Sequence, residues 1–177
     1  MKTIVDYIGR EIASLEVAVA VDFTMGNGFD TMKLAKMSQK VYSFDIQPLA
    51  LERTRTLLEQ HDIPADRVEL ILDDHRHFGA YLDRFDLGVF NLGYLPNGDH
   101  HITTTKTNTI ATLERALKAL ETGGIILIGV YVGHDGGVEG DAIRAFCSEL
   151  DNDFNVSCYQ MLNKQKAPYV IVIEKAK

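Results

Sequence analysis

No apolar run in this chain approaches the roughly 20 residues that a helix needs to cross a bilayer, and its first residues carry no signal-peptide pattern. The expectation is a cytoplasmic protein with no membrane partner. Cysteine is scarce. Cys147 and Cys158 stand at no metal-ligand or redox spacing, so both read as reduced, partly buried thiols and no bound metal is expected. Positive charge is in deficit, with 18 Lys and Arg against 25 Asp and Glu and a net charge of −7. That balance excludes a generic nucleic-acid-coating protein, because phosphate contacts need clustered cations. Linkers, internal repeats and low-complexity segments are also missing. A chain of 177 residues with 46% hydrophobic and 24% charged content then reads as one domain, residues 1–177, large enough for a proper core.

Two small basic clusters remain. Lys33, Lys36 and Lys40 are spaced to share one helix face, and Lys164 and Lys166 fall in a loop before the last strand. Each is read as a solvated surface that could also touch a polynucleotide.

Short apolar runs alternate with longer amphipathic stretches, the pattern of repeated βα units on a mostly parallel sheet. Strands are predicted at Val17–Phe23, Val41–Asp45, Val68–Leu72, Leu87–Asn91, Ile125–Tyr131, Asn155–Met161 and Tyr169–Glu174. Helices are predicted at Ile4–Ser14, Thr31–Ser38, Leu49–His61, roughly Thr105–Leu120, and Ala142–Leu150. Pro48 suits a first helical turn, and Gly123-Gly124 reads as the chain reversal before the fifth strand. Only Leu162–Pro168 separates the last two strands, too little for a crossover helix, so they are predicted to pair antiparallel. The fold class is α/β: a Rossmann-like, seven-stranded, mostly parallel sheet with an antiparallel C-terminal hairpin and helices on both faces.

The most informative stretch runs from Val21 through Asp22, Thr24, Gly26, Asn27, Gly28 and Asp30 to Thr31. A strand that delivers an acid, then a turn with two glycines, then a helix is the order found where a helix N-terminus faces a ligand. Asp45, at the end of the next strand, stands at about the spacing of a ribose-binding carboxylate, some twenty residues on. A dinucleotide fingerprint would carry a third glycine or alanine where Thr31 stands, and Asp22 and Asp30 would repel a pyrophosphate. Both acids suit the ammonium of S-adenosylmethionine, which becomes S-adenosyl-L-homocysteine after methyl transfer. A nucleotide-binding redox domain and a glycine turn that serves only the fold are the alternatives.

Ligands of open α/β sheets sit beyond the carboxyl ends of the strands. The expected tips are Asp22 to Gly28, Asp45-Ile46-Gln47, Asp73-Asp74-His75 and Asn91-Leu92-Gly93-Tyr94. Asp45 would accept from ribose hydroxyls, Asp73 or Asp74 from the adenine amine, and Ile46 would pack on the ring. Asn27 and Asp30 would face the methionine end. Capping is the alternative for Asp73 and Asp74. The Asn91-x-x-Tyr94 spacing is similar to the Asn-Pro-Pro-Tyr motif of enzymes that methylate exocyclic amines, without its prolines; a structural turn is the other reading. His100 and His134 are candidate substrate or proton-relay groups, since an imidazole titrates near neutrality.

The blocks Asp22 to Thr31, Asp45-Ile46-Gln47, Asp73-x-His75 and Asn91-Leu92-Gly93-Tyr94-Leu95-Pro96-x-Gly98-Asp99-His100 occur in this order in one family, with Gly123-Gly124, Tyr131-x-Gly133-His134 and Ile173-Glu174-Lys175 after them. The chain resembles the small bacterial class I methyltransferases long labelled rRNA methylases and reassigned as tRNA 5-aminomethyl-2-thiouridine methyltransferases. The resemblance runs from about Val17 to Lys175. It implies S-adenosylmethionine as cofactor, the anticodon region of tRNA as partner, and methylation of the aminomethyl nitrogen on the wobble uridine. Asn91 would then orient the amine, and Tyr94, Asp99, His100 or His134 would contact the uridine or relay a proton. Phe23 and Phe29 depart from the family pattern, which usually has Ala and His there. An rRNA base, a small molecule and a purely cofactor-binding role remain alternatives. A homodimer is an open state that no residue pattern decides.

Overall fold

The computed structural model describes residues 17–93, 105–131, 137–164 and 167–177. The predicted helix Ile4–Ser14 lies outside them. The strands are β1 (Val17–Asp22), β2 (Ser38–Asp45), β3 (Val68–Leu72), β4 (Phe85–Leu92), β5 (Leu120–Val130), β6 (Phe154–Tyr159) and β7 (Tyr169–Lys175). The helices are α1 (Phe29–Met37), α2 (Pro48–Gln60), α3 (Lys106–Ala119) and α4 (Val138–Ser148), with a 3₁₀ segment at His75–Ala80. One seven-stranded sheet takes the order β3-β2-β1-β4-β5-β7-β6. All pairings are parallel except β5 with β7 and β7 with β6, as the short β6–β7 connection requires.

Strand order reverses between β1 and β4, both central, so the crevice at their carboxyl ends is the place such a sheet offers a ligand. Alternation along the strands feeds two cores. On one face, Val17, Ala20, Val41 and Leu87 pack with Leu34 and Ala35 of α1 and Leu58 of α2. On the other, Phe23, Phe44, Phe85, Phe90 and Ile128 pack with Leu113 and Ala116 of α3 and Ile143 of α4.

Phe23 organises the second core. Its ring stacks on Phe90 at 4.2 Å and meets Phe78 and Phe85 edge-on at 5.4 and 5.8 Å. Offset stacking and edge contacts suit the ring quadrupoles, beyond the apolar area they remove from water.

Two readings need correction. Gly123-Gly124 do not reverse the chain ahead of a strand; they lie inside β5. The ladder slips between the pairs Phe85–Leu120 and Leu87–Ile125, and Gly123 takes φ +79° there, so the glycines form a bulge that bends a continuing strand. Lys40 does not share a helix face with Lys33 and Lys36. Ser38 already pairs with Val17, so α1 ends and Lys40 belongs to β2, where its Nζ donates to the Asp66 carbonyl at 2.9 Å. Cys147 is buried and Cys158 exposed, and both are free thiols.

Replacing Phe23 with Ala should therefore cost about 3–5 kcal/mol, since a four-ring cluster cannot collapse onto a methyl group. Urea denaturation of the two proteins checks this; a loss below about 1 kcal/mol would mean that the core relaxes around the vacancy.

Candidate functional site

The glycine turn after β1 is held from beneath by one buried carboxyl. Asp22 is fully buried; its Oδ1 accepts from the Thr24 amide at 3.1 Å and its Oδ2 from the Thr31 hydroxyl at 2.6 Å. Thr31 also shares a 2.8 Å hydrogen bond with Ser43 of β2. Asp22 thus ties the start of the turn to the first turn of α1. Burial, then the nearby Asp30 charge, push it up from 3.8 to about 7 against the two hydrogen bonds. Read from sequence as a cofactor contact, Asp22 instead lies behind the turn and acts on the surface through its shape.

Asp45 clamps the turn from the β2 side. Its Oδ2 accepts from the Gly26 amide at 3.0 Å and its Oδ1 from the Gln47 amide at 2.9 Å. A carboxylate has about four lone-pair sites, so with the amides bound Asp45 can still accept from a ligand hydroxyl. Burial raises its pKa, opposed by the Gln47 and Gly26 amides. Gly28 takes φ +80° at the N-terminus of α1, and a Cβ there would sit 2.6 Å from the Thr54 hydroxyl oxygen of α2. Only glycine fits both demands.

Ile46 stands 51% exposed beyond Asp45, and Leu72, the register partner of Asp45, is 52% exposed. Two uncovered aliphatic side chains beside a carboxylate form a surface for a flat, partly apolar ring with a hydroxyl-bearing neighbour. Leu72 was missed by sequence reading, because the last residue of an apolar strand looks the same whether it is covered or not.

Across the switch point, Asn91 is the penultimate residue of β4. Its amide N–H donates to the Thr24 hydroxyl at 2.6 Å, and its side-chain Nδ2 donates to Asp30 Oδ2. The other oxygen of Asp30 pairs with Lys33 at 3.1 Å. The tips of β1 and β4 and the start of α1 therefore converge. Tyr131, just past β5, has its hydroxyl pKa raised by burial and by the Asp30 charge.

Several other predicted residues sit away from the surface or turn elsewhere. Asn27 accepts from Arg53 Nη1 at 3.0 Å and lines a groove of about 480 Å³ between the turn and α2. Gln47 is buried and its carbonyl accepts from the Ala50 amide in the first turn of α2. The Leu92 side chain is in the aromatic core. His75 turns inward, its Nδ1–H donating to the Phe23 carbonyl at 2.9 Å; burial lowers its pKa and keeps it neutral, with Nε2 buried and unpartnered among the described residues.

Asp74 caps the 3₁₀ segment by accepting from the Arg76 amide at 2.9 Å and pairs with the Arg76 guanidinium at 2.8 Å. The capping alternative thus describes Asp74. Asp73 accepts from His77 Nδ1 at 2.9 Å and the Tyr81 hydroxyl at 3.0 Å, and these hydrogen bonds hold its carboxyl below the usual range. His77 and Tyr81 were not legible as site residues: both follow a tip by a few residues and reach it only because the 3₁₀ segment curls back. Tyr94, Asp99, His100 and His134 lie outside the described residues. Among the described residues, no three His, Cys, Asp or Glu are grouped to hold a metal ion, and no helix is long and apolar enough to cross a membrane.

Asp22 makes stability depend on pH in the reverse of the usual carboxylate sense. Its folded pKa of about 7 lies above the unfolded 3.8, so its contribution is complete below about 4 and lost as pH rises through about 7. Between pH 5 and 8 the wild type should lose about 2–3 kcal/mol more stability than Asp22→Asn, which cannot ionise. Chemical denaturation at the two pH values measures the difference; parallel loss would mean that Asp22 is ionised throughout.

The same architecture recurs in known proteins. The family described as "Putative rRNA methylase" matches residues 41–175. A curated relative, the Arabidopsis thaliana protein named tRNA (mnm(5)s(2)U34)-methyltransferase, chloroplastic, is 36% identical over 170 residues, covering 88% of this chain. The match spans 62% of that relative's length. An rRNA methylase structure from Clostridium thermocellum superimposes with a TM-score of 0.92 at 35% identity, covering 99% of this chain and 98% of the other. A Streptococcus mutans methyltransferase solved in complex with SAH does so with a TM-score of 0.90 at 38% identity, covering 99% of each chain. With a seven-stranded class I sheet and a family match over three quarters of its length, this chain belongs to the "Putative rRNA methylase" family of methyltransferases.

Proposed function

We propose that this protein transfers a methyl group from S-adenosylmethionine to the 5-aminomethyl nitrogen of the wobble 2-thiouridine in tRNA, in the cytoplasm. The observation that carries the reading is Asn91 at the β4 tip, its main-chain N–H held by Thr24 and its side chain by Asp30 beside the glycine turn. The acceptor is taken from the name of the Arabidopsis relative.

The site fits a cationic, adenosine-bearing ligand better than a dinucleotide. Asp22, Asp30 and Asp45 cluster closely enough that their charges raise the Asp22 pKa. A pyrophosphate placed there would add repulsion, whereas an ammonium or sulfonium relieves it. Asp45 would take the ribose hydroxyls, and Ile46 and Leu72 would cover the adenine.

S-adenosylmethionine supplies an electrophilic methyl carbon: the amine lone pair forms the N–C bond, the S–C bond breaks with its electron pair left on sulfur, and the product ammonium releases a proton. The protein's task is to hold a deprotonated primary amine in line. The Asn91 carbonyl oxygen is suited to accept from the amine N–H, leaving the lone pair directed at the methyl carbon. Positioning of this kind supplies most of the acceleration in a displacement that needs no strong base. Net charge of −7 leaves few cations for phosphate, so tRNA binding rests on local basic side chains and is salt-sensitive.

Radiolabelled methyl transfer to tRNA from cells lacking this protein, followed by nucleoside mass spectrometry, tests the reading. 5-Methylaminomethyl-2-thiouridine should appear as its aminomethyl precursor disappears. Asn91→Ala should lower turnover about 100-fold with little change in cofactor affinity. Label appearing in rRNA instead would favour the base-methylase alternative; full turnover by Asn91→Ala would remove Asn91 from the mechanism.

A further inference from the structure

The Asn91 amide is not free to choose which end it offers. Asn91 is the register partner of Gly129 in the β4–β5 ladder. A Cβ built on Gly129 would lie 2.5 Å from Asn91 Oδ1, so the oxygen occupies the space that any other residue would fill there. The opposite end of the amide, Nδ2, donates to Asp30 Oδ2, while Lys33 takes Asp30 Oδ1. A carboxylate only accepts, so the amide must face it with nitrogen and turn oxygen toward β5. Tyr131 stands two residues past Gly129 on that side, partly exposed and within range of the Asp30 charge.

We propose that Asp30 and Gly129 form a socket that fixes the Asn91 amide with Oδ1 toward β5, making Asp30 a positioning residue for the acceptor amine, which enters on the Tyr131 side. The proposal rests on the reading that Asn91 holds the amine. It explains why an acid is placed in the first turn of α1 within reach of β4, and it makes a glycine at position 129 a requirement of the site rather than of the strand. An asparagine at position 30 would offer either a donor or an acceptor, so the Asn91 amide could turn over and present its nitrogen, which repels an amine N–H.

The test is a double-mutant cycle with Asp30→Asn, Asn91→Ala and the double variant, read by single-turnover methyl transfer to tRNA carrying the aminomethyl nucleoside. S-adenosylmethionine affinity by calorimetry and the ¹⁵N side-chain amide signal of Asn91, identified by its absence in Asn91→Ala, are read alongside. Asp30→Asn should slow transfer about 10–100-fold and shift the Asn91 amide signal, with cofactor affinity within about threefold of the wild type. In the Asn91→Ala background it should cost nothing further. Gly129→Ala, which keeps both polar groups, should slow transfer comparably and serves where Asp30→Asn folds poorly.

Additive losses, or cofactor affinity that falls as far as the rate, would overturn the proposal and make Asp30 a ligand of the cofactor alone. Asn91→Ala at full rate would overturn the reading of Asn91, and this proposal with it. A loss in Asn91→Ala together with additive Asp30→Asn leaves that reading standing and removes only the socket.

Discussion

The ligand edge of this protein is built from the Asp22 carboxyl. It holds, directly or through one partner, Thr24, whose hydroxyl receives the Asn91 amide; Thr31, in the first turn of α1, which reaches Ser43 of β2; and the glycine turn between them. A fully buried acid with neighbouring acids is an expensive choice in free energy, and the rise of its pKa to about 7 measures that strain. Hydrogen bonds from the Thr31 hydroxyl and the Thr24 amide offset part of the cost. The return is a turn whose backbone conformation is set independently of any ligand, which is what a positioning mechanism needs.

Behind that turn the aromatic core supplies stiffness. Phe23 continues β1 directly into the turn and stacks on Phe90, the residue before Asn91. The two strand tips that flank the switch point are thus joined by ring contact on one side and by Thr24 on the other. His75 adds a third tie by donating to the Phe23 carbonyl from beyond β3. Close packing of this kind transmits strain and admits little slack.

Electrostatics divides the surface. Acids collect at the carboxyl edge of the sheet, where a cationic cofactor is favoured, while among the described residues Lys33 pairs with Asp30, Lys40 with Glu69, Arg76 with Asp74 and Arg84 with Glu121. These exposed pairs contribute little stability individually.

How much of this was legible beforehand depended on the range of the interaction. Apolar periodicity is local, so the alternation of strands and helices, the parallel order and the antiparallel hairpin after Met161 could be read directly. The glycine turn and Asp45 were legible for the same reason, since spacing within one βα unit determines where they fall. Polar partners across the sheet were not. Asp30 meets Asn91 across 61 residues, Asn27 turns to Arg53 on the next helix, and Asp73 is taken by His77 and Tyr81 because a 3₁₀ segment curls back. The sequence determined that acids and amides would gather at one edge. Only the crossover connections, which set β4 beside β1 and Gly129 beside Asn91, decided which of them face a ligand and which are spent holding the others in place.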